Sequence, residues 1–204
     1  MRMDLREEFG GIDIYLFDQL LRGRIPRGCT VLDAGCGAGR NLVYFLRSGY
    51  RVLGADADAA AIDRVRELAT SLAPEARADD FRVEAIEAMS FADGEADVVI
   101  SSAVLHFARD EVHFDAMLRG TWRVVRPGGM LFCRLAGITG QEGVARPVGG
   151  GRYALADGSE RFLVSEAFLR ARTVSLGAEL LDPIKTTVVH GQRSMTTWVL
   201  RRPH

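Results

Sequence analysis

The sequence predicts an α/β protein built on a doubly wound, mostly parallel, seven-stranded sheet that ends in an antiparallel strand pair. From residue 29 to about residue 136, short apolar runs alternate with segments of helical periodicity. The runs are continuously apolar, which is typical of parallel strands covered by helices on both faces. A glycine-rich turn follows the first run, as in doubly wound folds that bind ligands at the carboxyl edge of the sheet. Because crossover connections are right-handed, few other topologies fit this order.

Five predicted strands build the parallel part of the sheet. Their ranges are 29–33, 50–56, 81–85, 97–101 and 130–135. Helices are predicted between them at 41–48, 59–72 and 112–125. The second of these helices is indicated by Ile62, Val65 and Leu68, which recur at steps of three and four residues. The stretch RPGG predicts the turn that ends the last helix.

The two ends of the chain show other patterns. Apolar residues at helical spacing predict one N-terminal helix over 5–24, whose first turn is loosened by Gly10 and Gly11. This helix either packs on the sheet edge or covers a ligand cleft. A glycine-rich stretch predicts an irregular insertion over 136–164, since long loops of this kind are usually functional or mobile.

The C-terminal part closes the predicted sheet. Ser165 is a candidate N-cap for a helix that reaches about residue 176. Two strands over 180–190 and 194–201 follow, joined by a short turn at Gly191. These strands form the predicted antiparallel pair.

Composition and charge exclude several classes of protein. The chain has 26 basic and 27 acidic residues, so its net charge of -1 argues against a nucleic-acid partner. No apolar stretch approaches the roughly 18 residues that a membrane span needs, and the charged N-terminus lacks a secretory signal. Three widely spaced cysteines, an odd number, indicate reduced thiols and a cytoplasmic location. No cluster of residues predicts a metal site.

The glycine-rich turn, Gly35 to Gly39, is the strongest sign of a binding site. Its pattern is G-x-G-x-G, whereas the dinucleotide pattern is G-x-G-x-x-G. Asp33 precedes the turn, and a carboxylate there would repel a pyrophosphate but attract a cationic ligand. Asp56 ends the second strand about twenty residues later, where an acid can accept hydrogen bonds from both ribose hydroxyls.

Several motifs in order resemble class I S-adenosylmethionine-dependent methyltransferases, which share a Rossmann-like fold. VLDAGCGAGR resembles the first motif of the family, and GADAD carries the acidic end of the second strand. FADGEADVVISSAVLHF resembles the segment around the fourth strand, and RPGG precedes the fifth. Within the superfamily, GCGAGRNLVYFLRSGYRV is similar to the tellurite-resistance methyltransferases. The similarity does not extend to tellurium chemistry.

The resemblance implies S-adenosyl-L-methionine as the cofactor. The cofactor-binding residues that it implies are Asp33, Gly35, Cys36, Gly37, Arg40, Asn41, Asp56, Ala57, Ala85, Ile86 and Ser101. One position departs from the family, because Ala85 stands where an aspartate commonly faces the adenine amine. Glu84 or Glu87 is the candidate substitute, and the Ile86 backbone amide is a candidate partner of the adenine ring.

The resemblance also implies methyl transfer by in-line displacement, in which alignment of the reacting atoms does much of the work. His106, Tyr15 and Arg134 are the candidate catalytic residues. His106 follows the fourth strand, where it can bind or deprotonate an acceptor. Tyr15 can close over the cofactor or pack in the core. Arg134 favours an anionic acceptor if its side chain points into the cleft.

The expected protein is a single methyltransferase domain over 1–204 that acts on a small molecule, as a monomer or a homodimer. Its parts are a helical cap at 1–24, a cofactor-binding core at 29–135, the insertion at 136–164 and the C-terminal helix and strands at 165–204. Two alternatives stay open at this point: a nucleotide-dependent oxidoreductase, and a module that binds S-adenosylmethionine without catalysis.

Overall fold

The computed structural model describes residues 4–190 and 192–204. Six α-helices lie within these residues: α1 Leu5–Phe9, α2 Ile14–Leu21, α3 Val43–Arg47, α4 Ala59–Leu72, α5 Glu111–Val124 and α6 Glu166–Ser175. The first six strands are β1 Thr30–Ala34, β2 Arg51–Asp56, β3 Phe81–Val83, β4 Ala96–Ser102, β5 Val125–Ala136 and β6 Arg146–Gly149. The others are β7 Arg152–Ala154, β8 Glu160–Phe162, β9 Glu179–Leu180, β10 Lys185–Val189 and β11 Arg193–Arg201.

The central sheet has the strand order β3-β2-β1-β4-β5-β11-β10, with β9 also paired to β11. Strands β1 to β5 pair in parallel. Strand β11 runs antiparallel to β5 and to β10. The predicted doubly wound sheet with an antiparallel end is therefore confirmed. The predicted turn residue Gly191, between β10 and β11, lies outside the described residues.

Strand β1 lies at the point where the strand order reverses. It pairs with β2 on one side and with β4 on the other. The connections that leave β1 and β4 therefore diverge to opposite faces of the sheet. A crevice forms between them at the carboxyl ends of the strands, which is where ligands bind in such sheets.

Apolar side chains are buried on both faces of the sheet. One cluster joins α2, α3 and α4 to the sheet through residues such as Leu16, Phe45 and Ile62. The other joins α5 and α6 to it through residues such as Phe114, Leu118 and Leu169. Burial on both faces explains why the strands read as continuously apolar.

The prediction of a single N-terminal helix is wrong, because the chain forms α1 and α2. Gly10 ends α1 in the left-handed region, with φ of 60°. A Cβ on Gly10 would lie 2.6 Å from Val43 Cγ2, so the glycine permits close contact with α3. Asp13 then caps α2 by accepting a 2.9 Å hydrogen bond from the Tyr15 amide.

The prediction of an irregular insertion is also wrong, because β6, β7 and β8 form a small antiparallel sheet. Its hairpin turns use the positive φ angles of the glycines that suggested a loop. The Phe162 ring stacks on Phe114 of α5, with 5.1 Å between ring centroids. The small sheet is thereby attached to the core.

Two boundaries near the C-terminal strands differ from expectation. The predicted strand over 180–190 is divided into β9 and β10, and Pro183, which lacks an amide donor, lies between them. Strand β5 begins at Val125, directly after α5, and its pairing with β4 shifts register between Ala96 and Val98. No helix among the described residues has the length and apolar character needed to cross a membrane.

Candidate functional site

A cavity of about 590 Å³ lies at the carboxyl ends of β1, β2 and β4. We call it the switch-point cavity, because it occupies the crevice where the strand order reverses. Nine of the predicted binding residues line it: Gly35, Cys36, Gly37, Arg40, Asn41, Asp56, Ala57, Ala85 and Ile86. Its volume lies in the range that is usual for small-molecule and cofactor sites.

The three glycines of the turn after β1 have different roles. Gly35 and Gly39 have φ of 85° and 80° and lie against other side chains. An added Cβ would lie 2.4 Å from Val104 Cγ2 at Gly35 and 2.7 Å from Val65 Cγ2 at Gly39. Gly37 also has a positive φ, but its Cβ would meet no atom within 4 Å. Two glycines therefore allow tight packing, while the middle one leaves space over the cavity.

Asp56 connects the end of β2 to the glycine turn. Its Oδ2 accepts a 2.9 Å hydrogen bond from the Gly37 amide, and its Oδ1 accepts one of 2.9 Å from the Asp58 amide. A carboxylate oxygen can accept more than one hydrogen bond. Asp56 can therefore hold the turn and still bind a ligand hydroxyl.

Asp33 lies beneath the turn and is fully buried. Neither of its carboxyl oxygens has a hydrogen-bond partner among the described residues. Burial raises the pKa of Asp33 to about 7, although nearby Asn41 and Arg40 act in the opposite direction. A cation placed near this carboxyl would favour its charged form.

A polar network closes one end of the switch-point cavity. The Arg40 guanidinium donates a 2.9 Å hydrogen bond to Ser102 Oγ, which in turn donates to Asp13 Oδ2 at 3.3 Å. The same carboxyl forms a 2.8 Å ion pair with Arg134. Asn41 Oδ1 accepts a 3.0 Å hydrogen bond from the Asp13 amide. These interactions of Asp13 hold the segment between α1 and α2 against the carboxyl edge of the sheet.

At the other end of the cavity the acid is Glu87, whereas the family commonly has an aspartate at the position of Ala85. Glu87 lines the cavity, with a carboxyl oxygen 3.1 Å from His113 Nε2. Burial acts to raise the pKa of Glu87, but hydrogen bonds from its own amide and from His113 outweigh it and lower that pKa. Glu84, the other candidate, accepts hydrogen bonds from Ser90 and lies outside the cavity wall.

Two predicted binding residues, Asp33 and Ser101, do not reach the wall of the switch-point cavity. Both are fully buried. Ser101 pairs with Cys133 in the sheet, and its hydroxyl has no partner among the described residues.

His106 lies in a second cavity rather than in the wall of the first. This second cavity, of about 290 Å³, is bordered by the end of β5, the start of β11 and the segment around β8. The His106 Nδ1 accepts a 3.2 Å hydrogen bond from the Ala136 amide. Burial, with a smaller effect of Arg161, lowers the pKa of His106 to about 4. The imidazole is therefore neutral near neutral pH.

Tyr15 and Arg134 also lie outside the switch-point cavity wall. The Tyr15 hydroxyl is 2.6 Å from Thr187 Oγ1 of β10, and the Arg134 guanidinium stacks 4.9 Å from the Tyr15 ring centroid. This contact holds the Tyr15 ring against β10, and a role of Tyr15 over the cofactor stays a prediction. The Arg134 charge is paired with Asp13, and a role of Arg134 toward an anionic acceptor stays a prediction.

Seven further residues line the cavity wall and were not predicted from the sequence. They are Ala38, Ser102, Ala103, Val104, Phe107, His113 and Met117. His113 and Met117 lie four positions apart on α5 and so share one helix face, which is a signal visible in the sequence. Ala103 has φ of 65°, a conformation that its residue type does not predict. Within residues 4–190 and 192–204, no group of three or more His, Cys, Asp or Glu side chains is placed to hold a metal ion.

Curated relatives match a little over half of the chain. The tRNA 5-carboxymethoxyuridine methyltransferase of Escherichia coli is 29% identical over 114 residues, which are 56% of this chain and 42% of that protein. The malonyl-[acyl-carrier protein] O-methyltransferase of Yersinia pestis is 33% identical over 115 residues, 56% of this chain and 39% of that protein. The chain thus spans about two fifths of the length of these relatives.

Solved structures with the same fold cover nearly the whole chain. A methyltransferase from Methanosarcina mazei has a TM-score of 0.73 at 19% identity and covers 90% of this chain and 97% of that one. The 1,6-didemethyltoxoflavin-N1-methyltransferase of Burkholderia thailandensis has a TM-score of 0.71 at 19% identity, covering 98% and 82%. At this identity the likeness concerns the fold alone.

The family model of the methyltransferase domain matches residues 32–133, which is half of the 204 residues. The match begins inside β1, contains the glycine turn and Asp56, and ends in β5. It therefore covers the elements that build the switch-point cavity. The chain belongs to the methyltransferase domain family, among the class I S-adenosylmethionine-dependent methyltransferases.

Proposed function

We propose that the chain binds S-adenosylmethionine in the switch-point cavity and transfers its methyl group to a small-molecule acceptor. The observation that carries this proposal is the pair of acids beside the glycine turn. Asp33 offers a buried carboxyl without a partner among the described residues, and Asp56 offers a carboxylate in the cavity wall. A ribose diol matches Asp56 in the cavity wall, and the Asp33 carboxyl beneath the turn would attract a cationic group above the turn without touching it.

The residues at both ends of the cavity fit the cofactor. The ammonium of the methionine moiety would lie above the turn, where the buried Asp33 carboxyl attracts it through space. Asp56 would hold the ribose, and Ala57, Ala85 and Ile86 would contact the adenine. Gly37 leaves room above the turn, since a Cβ there meets nothing within 4 Å.

The bound cofactor supplies a methyl group activated by a sulfonium. The chain's own task is to hold that group in line with the acceptor and to exclude water, and alignment of this kind lowers the barrier substantially. No base is required for an acceptor that is already a nucleophile. This agrees with the state of His106, whose imidazole is neutral and accepts a hydrogen bond from the Ala136 amide.

A small-molecule acceptor is favoured by the relatives and by charge. The ubiquinone biosynthesis O-methyltransferase of Brucella ovis is 35% identical over 106 residues, 52% of this chain and 40% of that protein. The Escherichia coli relative is a tRNA methyltransferase by name, but the net charge of -1 does not favour a nucleic-acid acceptor here. Three cysteines without disulfides favour a cytoplasmic location of the protein.

The similarity to the tellurite-resistance methyltransferases stays a prediction.

Calorimetry with S-adenosylmethionine and S-adenosylhomocysteine tests this proposal. We expect both to bind, and Asp56→Ala to weaken binding by about a hundredfold, because two charge-assisted hydrogen bonds are lost. Asp63→Ala is the matched control, since Asp63 is an exposed acid on α4. Absence of binding in folded protein, or binding of a nicotinamide dinucleotide instead, would overturn the proposal. Binding without turnover on any acceptor would indicate the non-catalytic alternative.

A further inference from the structure

We propose that the second cavity holds the methyl acceptor and that this acceptor is a small organic anion methylated on oxygen. The proposal rests on the proposed function above, because it needs a methyl donor in the switch-point cavity. It is argued from the connection between the two cavities, from polar groups without partners and from the charges around the second cavity.

The two cavities meet at Ala103. This residue lines both of them, directly after β4. Its backbone has φ of 65°, and its amide donates a 2.7 Å hydrogen bond to the Arg134 carbonyl. The hydrogen bond holds the chain in a bend whose two sides face the two cavities. A ligand in the second cavity therefore lies beside a ligand in the first.

The second cavity contains buried polar groups that lack partners. Gln141 and Ser194 line it and are only 3% and 4% exposed. The Gln141 Nε2 and the Ser194 Oγ have no hydrogen-bond partner among the described residues. Buried polar atoms are rarely left unsatisfied, and those that are need an explanation. A bound ligand with oxygen acceptors explains both.

The charges of the second cavity are mostly positive. Arg161 and Arg193 line it, and Arg161 donates a 2.7 Å hydrogen bond to the Glu160 carbonyl. One acid lies in the wall, Asp157, which accepts hydrogen bonds from the amide and the hydroxyl of Ser159 and is outnumbered by the two arginines. Two guanidinium groups in such a site fit a carboxylate or another oxyanion.

His106 completes the donor set. Because its Nδ1 accepts the Ala136 amide hydrogen, the neutral ring carries its proton on Nε2. The Nε2 is then a hydrogen-bond donor and not a base. His106 therefore offers no base to an acceptor oxygen held here, and an organic anion needs none.

The reaction balances without a proton transfer. The anionic oxygen forms a bond to the methyl carbon while the bond from that carbon to sulfur breaks, and its electron pair stays on sulfur. The sulfonium becomes a neutral thioether, and the oxyanion becomes a neutral ester or ether. No oxidant, reductant or further reactant is needed.

The test begins with binding to the full chain loaded with S-adenosylhomocysteine. Small carboxylates, phenolates and the matching amides and amines are compared by ligand-observed NMR. We expect the anions to bind and the neutral and cationic analogues not to bind. Equal binding of amides and acids, or no binding of any anion, would overturn the inference.

Variants then locate the bound anion. Arg161→Gln and Arg193→Gln are each expected to weaken anion binding by about tenfold or more, because each removes a charge-assisted hydrogen bond. Arg119→Gln on α5 is the control, since Arg119 is exposed and borders neither cavity. All three variants should bind S-adenosylhomocysteine as the unmodified chain does. Unchanged anion binding in both cavity variants would contradict the proposal.

Product analysis separates the two acceptor classes. Alkali cleaves a methyl ester formed from a carboxylate but leaves a methyl ether formed from a phenolate intact. Preferred transfer to nitrogen would overturn the inference while leaving the methyltransferase function in place. Loss of S-adenosylhomocysteine binding in the unmodified chain would instead refute the proposed function itself.

Discussion

Asp13 and Arg134 form an ion pair although 121 residues separate them, with 2.8 Å between Asp13 Oδ2 and a guanidinium nitrogen. The side chains are 2% and 17% exposed, so the pair is largely removed from water. Asp13 lies between α1 and α2, and Arg134 lies in β5. The pair therefore attaches the N-terminal segment to the sheet beside the switch-point cavity.

Removing the charge of Asp13 should destabilise the fold. Asp13→Asn retains a side-chain oxygen for the α2 cap but leaves Arg134 as a buried cation without its partner. We expect a loss of about 3 kcal/mol in the free energy of unfolding, the usual cost of breaking a buried pair. Urea denaturation measures it. Asp18→Asn serves as the control, because its pair with Arg22 is exposed and such pairs contribute at most about 1 kcal/mol. Similar losses for both variants would contradict this account.

Stability should fall as the pH rises through the range where Asp33 titrates. Its folded-state pKa of about 7 exceeds its ordinary value of 3.8, because burial disfavours the charged form. Between those values the folded state binds more protons than the unfolded state, so Asp33 contributes a loss of up to about 1.4 kcal/mol per pH unit. Asp33→Asn should remove this contribution. Unfolding curves of the two proteins across this range should therefore diverge, and parallel curves would refute the assignment.

Cofactor binding should show the opposite pH dependence. An ammonium group above the turn favours ionised Asp33 through its charge, so below the pKa of about 7 binding is coupled to loss of the Asp33 proton. The dissociation constant of S-adenosylhomocysteine should rise by up to about tenfold for each pH unit below that value. Calorimetry in buffers of different ionisation enthalpy detects the released proton. In Asp33→Asn no such release is expected.

Gly37 and Gly177 provide a matched pair of substitutions. Both have positive φ, of 51° and 60°, and an added Cβ meets no atom within 4 Å at either position. Each change to alanine should cost about 1 kcal/mol of stability through backbone strain alone. Only Gly37→Ala places a methyl group in the switch-point cavity, so only this variant should lose cofactor affinity. Equal affinities in the two variants would show that Gly37 does not border the cofactor.

His106 should act as a hydrogen-bond donor. His106→Gln keeps an amide donor, whereas His106→Phe removes it, and the ring of phenylalanine preserves much of the packing. We expect the glutamine variant to retain most of the acceptor affinity and the phenylalanine variant to lose about tenfold. The turnover rate of the unmodified chain should not follow an ionisation near pH 6.5, the ordinary pKa of histidine. A rate that does follow it would identify His106 as a base.

The sequence predicted most accurately those helices, strands and turns whose formation depends on nearby residues. The α4 bounds agree with the apolar spacing of Ile62, Val65 and Leu68. The glycine turn and Asp56 lie in the cavity wall because the ends of neighbouring parallel strands must share one edge of the sheet. The single predicted N-terminal helix failed because the left-handed turn at Gly10 depends on its contact with Val43 of α3.

The sequence by itself therefore determined the parallel sheet, its glycine turn and the acids beside that turn. Periodicity and strand order are local or topological properties, so they can be read along the chain. Only the tertiary structure decided the pairing of Asp13 with Arg134 and the orientation of the His106 ring. Asp13 and Arg134 are more than a hundred positions apart in the chain. The His106 ring is oriented by the Ala136 amide, which lies at the end of β5. These side chains are placed by packing and burial, and neither leaves a periodic signal in the sequence.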